Sequence, residues 1–292
     1  MRPDFFPGRE TASQTRMKLC ISEACTMPCS FAEDVAAFAA AGWPGMEVWL
    51  TKLETHLEKH SASDTRTLLE DRNLTLAAGA YQGGLLLSQG EQRRAHYDHF
   101  RRRLEICQAL KIPTIIVVAD FAEPLEAASL ERAVVSLAQA AQLAAGFDVR
   151  LALEFRGKNT FCSSLDTALA LVRQCGEANV GINFDVFHYY KGPSKFEDLD
   201  LLDAATLSHV QFADVAGVPR ELATDADRIF PGDGDFRLDP ILARFCAIGY
   251  QGWVSLELLN QTLWLAKPSQ VAEVGLTALK KILKYQPQPS KS

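Results

Sequence analysis

The sequence predicts a single (β/α)8 TIM barrel, and three observations predict it. Eight short β-type runs alternate with amphipathic helical stretches from Lys18 almost to the end, the pattern of strand–helix units wrapped around a parallel sheet. The chain of 292 residues is 48% hydrophobic, enough for one large core, since α/β barrels of about 250 residues form without splitting. No composition shift, Gly/Ser linker or long charge run divides it, so no domain boundary is expected. The barrel is read over residues 17–285, after a loose arm at 1–16 and before a Pro/Ser-rich tail at 286–292.

The elements follow in order. A first strand is read in "KLCISEA" (18–24). The helix in "SFAEDVAAFAAAG" opens on Ser30 with Glu33 three residues later, a pair that can satisfy orphan N–H groups reciprocally, and stops at Gly42. Strands are read in "GMEVWL" (45–50) and "LTLAAGAY" (74–81), then a helix over 91–111. A fourth strand, "IPTIIVVAD" (112–120), precedes a helix over 129–146, and a fifth, "VRLALEF" (149–155), precedes one over 164–176. Strands six and seven are "VGINFDVF" (180–187) and "LSHVQFAD" (207–214). A helix over 239–249, the eighth strand "GWVSLELL" (252–259) and a closing helix over 268–284 complete the set. The longest stretch without such a unit, 214–235, follows the seventh strand on the face where barrel active sites are built. Loops of that length are more often functional than accidental.

Composition narrows the setting. A formal net charge of −6 argues against a nucleic-acid or anionic-membrane partner held by bulk charge and favours a small polar substrate. No apolar run approaches the roughly 20 residues of a membrane span, and the N-terminus lacks the apolar core of a secretory signal. Seven scattered cysteines, of which only Cys25 and Cys29 lie close together, read as small buried hydrophobes in a reducing cytoplasm.

The site is read from strand alternation. Side chains two apart on a strand share a face, so Ala152 and Glu154 oppose Leu151, Leu153 and Phe155, and Asn183 and Asp185 oppose Ile182, Phe184 and Val186. His209 and Gln211 oppose Val210 and Phe212, and Ser255 and Glu257 oppose Val254, Leu256 and Leu258. Four neighbouring strands each turn an oxygen-bearing side chain to one face near the C-terminal end. A carboxylate in such a run costs several kcal/mol to desolvate; a salt bridge, a hydrogen-bond network or a metal ion must compensate it. Three converging carboxylates repel, and the all-oxygen set Glu154, Asp185, Gln211 and Glu257 suits one hard divalent ion, Mn or Mg first, with Co or Zn also able to serve. Polar strand ends also bind waters and loop backbones, which is the alternative for any one of them. Relief of repulsion predicts that Asp185→Ala leaves the metal-free fold as stable or more so.

These residues resemble the xylose-isomerase-like TIM barrels of the sugar-phosphate isomerase/epimerase group, within the apurinic endonuclease family 2 superfamily. The resemblance spans roughly Lys18 to Tyr285 and is most specific in "LALEF", "NFDVFH", "HVQFAD", "RIFPGDGDF" and "VSLELLN". It implies Glu154, Asp185, Gln211 and Glu257 as metal ligands. It also implies substrate-holding roles for His188, of the D-x-x-H motif, and Arg228, ahead of the P-G-x-G turn. Glu154 and Glu257 resemble the paired glutamates that move protons in ketose epimerases. Gln211 departs from the usual His of such epimerases and resembles dehydratases, including bacterial 3-dehydroshikimate dehydratases. The expected activity is therefore a metal-dependent isomerase or epimerase of a keto-sugar or polyol, with dehydration of a cyclic keto acid or keto-inositol as the alternative.

Three further side chains are weighed as substrate contacts. Lys158 lies four residues after Glu154, where a lysine is more often solvated, and Glu47 and Trp49 share a face at the end of the second strand, where Trp49 equally suits the core. An apurinic-endonuclease-like reading rests on the basic run "RRAHYDHFRRRLE", but a three-zinc site needs many histidines and six are present; that helix face reads as solvated or as a homo-oligomer contact. His56 and His60, four apart on a helix, lack the glutamate of H-E-x-x-H and read as surface residues.

Overall fold

The computed structural model describes residues 17–121 and 125–284; the proposed arm and tail lie outside them. Eight parallel strands close into a barrel in sequence order: β1 Lys18–Ser22, β2 Gly45–Trp49, β3 Thr75–Gln82, β4 Thr114–Val118, β5 Arg150–Glu154, β6 Val180–Asp185, β7 Leu207–Phe212 and β8 Trp253–Leu256. Closure runs through β1 and β8, with Leu19 opposite Val254. The helices are α1 Phe31–Ala40, α2 Leu50–Leu57, α3 Ala62–Glu70, α4 Gly90–Leu110, α5 Ala127–Ala145, α6 Leu165–Cys175, α7 Val186–Lys191, α8 Leu238–Ala247 and α9 Pro268–Lys284. None is long and apolar enough to cross a membrane among the described residues.

Period-two alternation divides the strands between two environments. Outward residues such as Ile115, Leu153, Phe184, Val210 and Leu256 join the helices in the main apolar core; Phe184 and Phe212 both set their edges against Phe245 of α8. Inward residues are small or polar. Ala78, Ala80, Ile116 and Ala152 form one small cluster on the β3–β5 side, while Asn183, Asp185, His209, Gln211 and Ser255 are buried on the β6–β8 side. Small side chains on one wall leave room above them, and polar ones on the other supply the chemistry.

Local signals act as the sequence suggests. Ser30 and Glu33 exchange their capping hydrogen bonds, Ser30 N–H donating to Glu33 Oε2 at 2.8 Å, and Gly42 follows α1 with φ of 84°. The basic run lies on α4 and is spent on structure: Arg103, buried, donates through Nε to Glu54 Oε1 at 2.7 Å, and His99 Nε2 lies 2.9 Å from the same oxygen. His56 and His60 stack at 4.3 Å between ring centroids. All seven cysteines are free and five are buried. Two elements go beyond the strand–helix reading. The β2–β3 connection holds two helices, and α7 begins at once after Asp185, whose Oδ1 caps it by accepting from Phe187 N–H at 2.8 Å.

A buried acidic pair sits just past β1. Glu23 Oε2 accepts from Trp49 N–H at 2.7 Å, Lys52 lies 3.7 Å from its Oε1, and Lys52 and Thr26 both hold Asp34. Burial pushes the Glu23 carboxyl well above the usual range and Asp34 adds to this, against the pull of Lys52. Glu23 therefore keeps its proton to higher pH than the unfolded chain, which releases it above about pH 4.3. Its contribution to stability is full below that pH and declines as pH rises toward the folded value. The metal-free stability is expected to fall as pH rises above that value, by up to roughly 1.4 kcal/mol per pH unit from this group. Glu23→Gln should flatten that slope in thermal denaturation; identical slopes for the two proteins refute the assignment.

Candidate active site

The strand register brings the polar ends together. Glu154 pairs with Asn183, Asp185 with Gln211, and Gln211 with Ser255 across successive strands, while Glu257 N–H, one residue past β8, donates to Phe212 O at 3.1 Å. Above them opens a cavity of about 180 Å³ lined by Trp49, Tyr81, Glu154, Arg156, His188, Asp225, Arg228 and Glu257, with Ala80, Val118 and Leu259. Trp49 and Tyr81 meet edge to face at 5.0 Å and give it an aromatic wall.

Asp185 finds its compensation in this structure from Arg228. The guanidinium is 1% exposed and donates through Nη2 to Asp185 Oδ2 at 2.8 Å and through Nη1 to Asp185 Oδ1 at 3.2 Å. Nη1 also reaches Glu257 Oε2 at 3.1 Å, and Nη2 and Nε reach Asp225 Oδ1 at 2.8 and 3.2 Å. Its plane lies over the Phe187 ring at 4.3 Å. A planar, permanently charged fork of donors suits three carboxylates at once, as an ammonium would not.

The long β7–α8 connection exists to place this arginine. Asp214, fully buried, accepts backbone N–H groups from Val215, Gly232, Gly234 and Phe236 at 2.9–3.1 Å. Its own backbone pairs with Ile229, next to Arg228, and Asn260 Nδ2 donates to Arg228 O at 2.9 Å. Gly234 is required because a Cβ there would lie 2.3 Å from Asp214 Oδ1.

Charge divides the two glutamates. Burial opposes ionisation of Glu154, but His188 Nε2 at 3.5 Å and the Arg156 guanidinium at 3.3 Å outweigh it, so its carboxyl sits below the usual range. Burial pushes Glu257 well above that range; Arg228 opposes this, and Glu47, Asp185 and Glu154 reinforce it. Asp225 is held down to about 2, because Arg228, with His188 and Arg156, overcomes its burial.

The residues fit a divalent cation. Glu154, Asp185 and His188 can each offer an atom within 4.8 Å of the others, and Asn183 Oδ1 and His188 Nδ1 are buried with no partner among the described residues. Four carboxylates line or touch the cavity against two guanidinium groups, a difference that one divalent ion closes. Oxygens with one imidazole suit such an ion.

The structure brings together Glu154, Asp185, His188, Gln211, Arg228, Glu257 and Trp49, but treats two candidates differently. Lys158 is exposed and does not line the cavity; the cation there is Arg156, two residues past Glu154 on the same strand parity, a signal the alternation rule already carried. Glu47 lies beneath the cavity, fully buried against His209 and Gln211, so it is no substrate contact. Asp225 was missed because its role depends on a turn that places it three residues before Arg228.

Residues 35–282 match the model of the xylose isomerase-like TIM barrel family. The chain belongs to that family. It is 28% identical over 258 residues to an inosose isomerase of Halalkalibacterium halodurans, covering 84% of this chain and 88% of that protein. It is also 27% identical over 254 residues to a 3-dehydroshikimate dehydratase of Pseudomonas aeruginosa, covering 85% of this chain and 39% of the relative. Among solved structures it superposes on IOLI protein with a bound zinc atom at a TM-score of 0.85 and 23% identity, covering 93% of this chain and all of that one. Within the family, this is an enzyme of the isomerase/epimerase or dehydratase type.

The Arg228 contacts revise the expectation for Asp185. Removing it takes away the two-pronged partner of a buried guanidinium, a change that costs on the order of 3 kcal/mol. Asp185→Ala is expected to melt below the wild type without metal, measured by calorimetry; an equal or higher melting temperature would restore the repulsion argument.

Proposed function

We propose that this protein is a divalent-metal-dependent isomerase or epimerase acting on a keto-sugar or keto-polyol by removing the proton α to the carbonyl. The observation that carries this reading is the placing of Glu154 and Glu257 on one cavity in unlike surroundings, the first beside Arg156 and His188 and the second among Arg228, Glu47 and Asp185. Two carboxyl groups whose surroundings push their pKa values apart can divide the taking and the returning of a proton between them. Inosose isomerases among the relatives support a cyclic keto-polyol, and a cavity of about 180 Å³ is of the size for a single ring.

The metal set proposed is Glu154, Asp185, Glu257 and the side-chain oxygen of Gln211, with Mn or Mg preferred over Co or Zn for its oxygen-rich chemistry. When bound, such an ion supplies Lewis-acid stabilisation to the charge that develops on the substrate oxygens. The chain's own groups do the rest. Glu154 accepts the α-proton, and Glu257 returns one at the neighbouring carbon or on the other face. His188 donates to, or orients, a substrate hydroxyl, and Arg228, whose N–H donors are taken up by Asp185, Glu257 and Asp225, holds those carboxylates in place at the cavity. Trp49 and Tyr81 cover the apolar side of the ring and keep water from the reacting carbon.

A second reading, dehydration of a cyclic keto acid, draws support from Arg156. Its guanidinium lines the cavity and its Nε is buried without a partner, an arrangement able to receive a carboxylate. Charge balance favours the first reading, since a neutral polyol enters a site that a divalent ion has already neutralised.

A panel of keto-sugars, keto-inositols and cyclic keto acids in deuterated water separates the two. Isomerisation or epimerisation gives a product of unchanged formula carrying solvent deuterium; dehydration gives loss of one water and a conjugated ultraviolet chromophore. Arg156→Met should raise KM at least tenfold for an acid substrate, a loss of about 1.4 kcal/mol, and leave it nearly unchanged for a neutral polyol. Glu257→Gln is expected to keep most of the metal affinity while turnover drops by 10²-fold or more. Turnover at the wild-type rate on the true substrate would show that Glu257 is no proton carrier.

A further inference from the structure

Beneath the cavity, Glu47, His209, Gln211 and Asn183, which neither line it nor join the apolar core, make a series of contacts that reaches Glu257 and Glu154 at its edge. Glu47 Oε2 and His209 Nε2 lie 2.7 Å apart, both fully buried. Glu47 Oε1 accepts from Gln211 Nε2 at 3.0 Å, and the same nitrogen donates to Glu257 Oε1 at 2.9 Å. The other end of that amide, Oε1, accepts from Asn183 Nδ2 at 2.5 Å, and Asn183 Nδ2 also donates to Glu154 Oε2 at 3.0 Å.

The two ends of a carboxamide have nearly one shape and opposite hydrogen-bonding character, so the surroundings decide which end faces where. Only the oxygen has a lone pair for a cation; the NH2 end would present hydrogens to it. Glu47 Oε1 and Glu257 Oε1 both accept from Nε2, which holds that end on their side and turns Oε1 toward Asn183 and Glu154. Glu257 is a poor sole anchor because its other oxygen is engaged by Arg228 and it faces the cavity itself. Glu47 has no such competing duty: its two oxygens serve Gln211 and His209.

We propose that Glu47, held by His209, is a positioning residue that fixes the amide of Gln211 with its oxygen toward a bound divalent cation. This rests on the metal set proposed above. It assigns Glu47 a role by way of Gln211, in place of the substrate contact expected from its strand parity, and explains why a buried carboxylate and imidazole are kept below the reacting centre.

The test is Mn2+ titration of the metal-free full-length protein, followed by the electron paramagnetic resonance of free Mn2+, so that no turnover is needed. Glu47→Gln allows either end of Gln211 to face the cation, and its affinity is expected to fall ten- to a hundredfold, the usual effect of losing a ligand's supporting hydrogen bond. In the swapped pair, Glu47→Gln with Gln211→Glu, position 47 donates and the carboxylate at 211 has an oxygen at each end. Its affinity should return to within about threefold of wild type, and should be no weaker than that of Gln211→Glu alone. The last comparison stands even if Glu47→Gln by itself fails to fold. A Glu47→Gln affinity within about twofold of wild type overturns the proposal, as does a folded swapped pair that binds more weakly than Gln211→Glu. Asp185→Asn identifies the other kind of failure: if it binds Mn2+ as tightly as wild type, the metal set is wrong and this proposal falls with it.

Discussion

The buried guanidinium of Arg228 is the interaction on which the site depends. Three carboxylates from β6, the end of β8 and the β7–α8 connection meet around it, and without its charge their convergence in a dry barrel mouth would cost more than the fold can supply. Its position is set at a distance. Asp214 gathers three backbone N–H groups of the glycine-rich turn, and the Asp214–Ile229 pairing fixes the backbone beside Arg228. A tight turn with no side chains in the way thus becomes a lever that aims one charge. Any cation bound at Asp185 or Glu257 shares their oxygens with this arginine, so metal affinity and the arginine's position are coupled.

The wall of the cavity and its floor obey different physics. On the β3–β5 side, alanines and Ile116 make the interior apolar, with Trp49 packed against them. On the β6–β8 side the inward positions are mostly polar, and a chain of hydrogen bonds joins His209 with Glu47, Glu47 with Gln211, and Gln211 with Asn183 and Glu257. A network of this kind is worth having only when complete, because each unpaired member would carry its full desolvation cost in low dielectric. Among the buried atoms without a partner in the described residues, Asn183 Oδ1 and His188 Nδ1 sit on residues at the border between this network and the cavity.

The barrel was legible in the sequence because its two periodicities are strong and local. All eight strands and six of the helices fall where alternation and capping suggest, and α1 begins and ends on the Ser30, Glu33 and Gly42 signals. Parity on β5 to β8 likewise picked out Glu154, Asp185, Gln211 and Glu257. Parity gives the face and not the height, which is why Glu47 was read as a wall residue and is found in the floor. Arg156 obeyed the same parity but lay one step past the apolar run that drew attention to its strand. Arg228 as the neutralising partner of Asp185 depends on a contact 43 residues away in sequence, set by the folding of an irregular loop that no periodicity describes.

Charge also argues for the order in which the site's functions are built. Glu154 lies below the usual carboxyl range and Glu257 above it: His188 and Arg156 outweigh burial at the former, while burial, reinforced by Glu47, Asp185 and Glu154, outweighs Arg228 at the latter. The same carboxyl chemistry is therefore divided by neighbours drawn from β2, β5, β6 and the β7–α8 connection, none of which touches both glutamates equally. An amide at 211 adds no charge of its own, so it can join the two glutamates through Asn183 without disturbing that division. A carboxylate at 211 would push Glu257 further toward its neutral form and bring a fifth acid to a balance that two guanidinium groups and one divalent ion close. On this argument the amide at 211 is the choice that keeps Glu154 and Glu257 different.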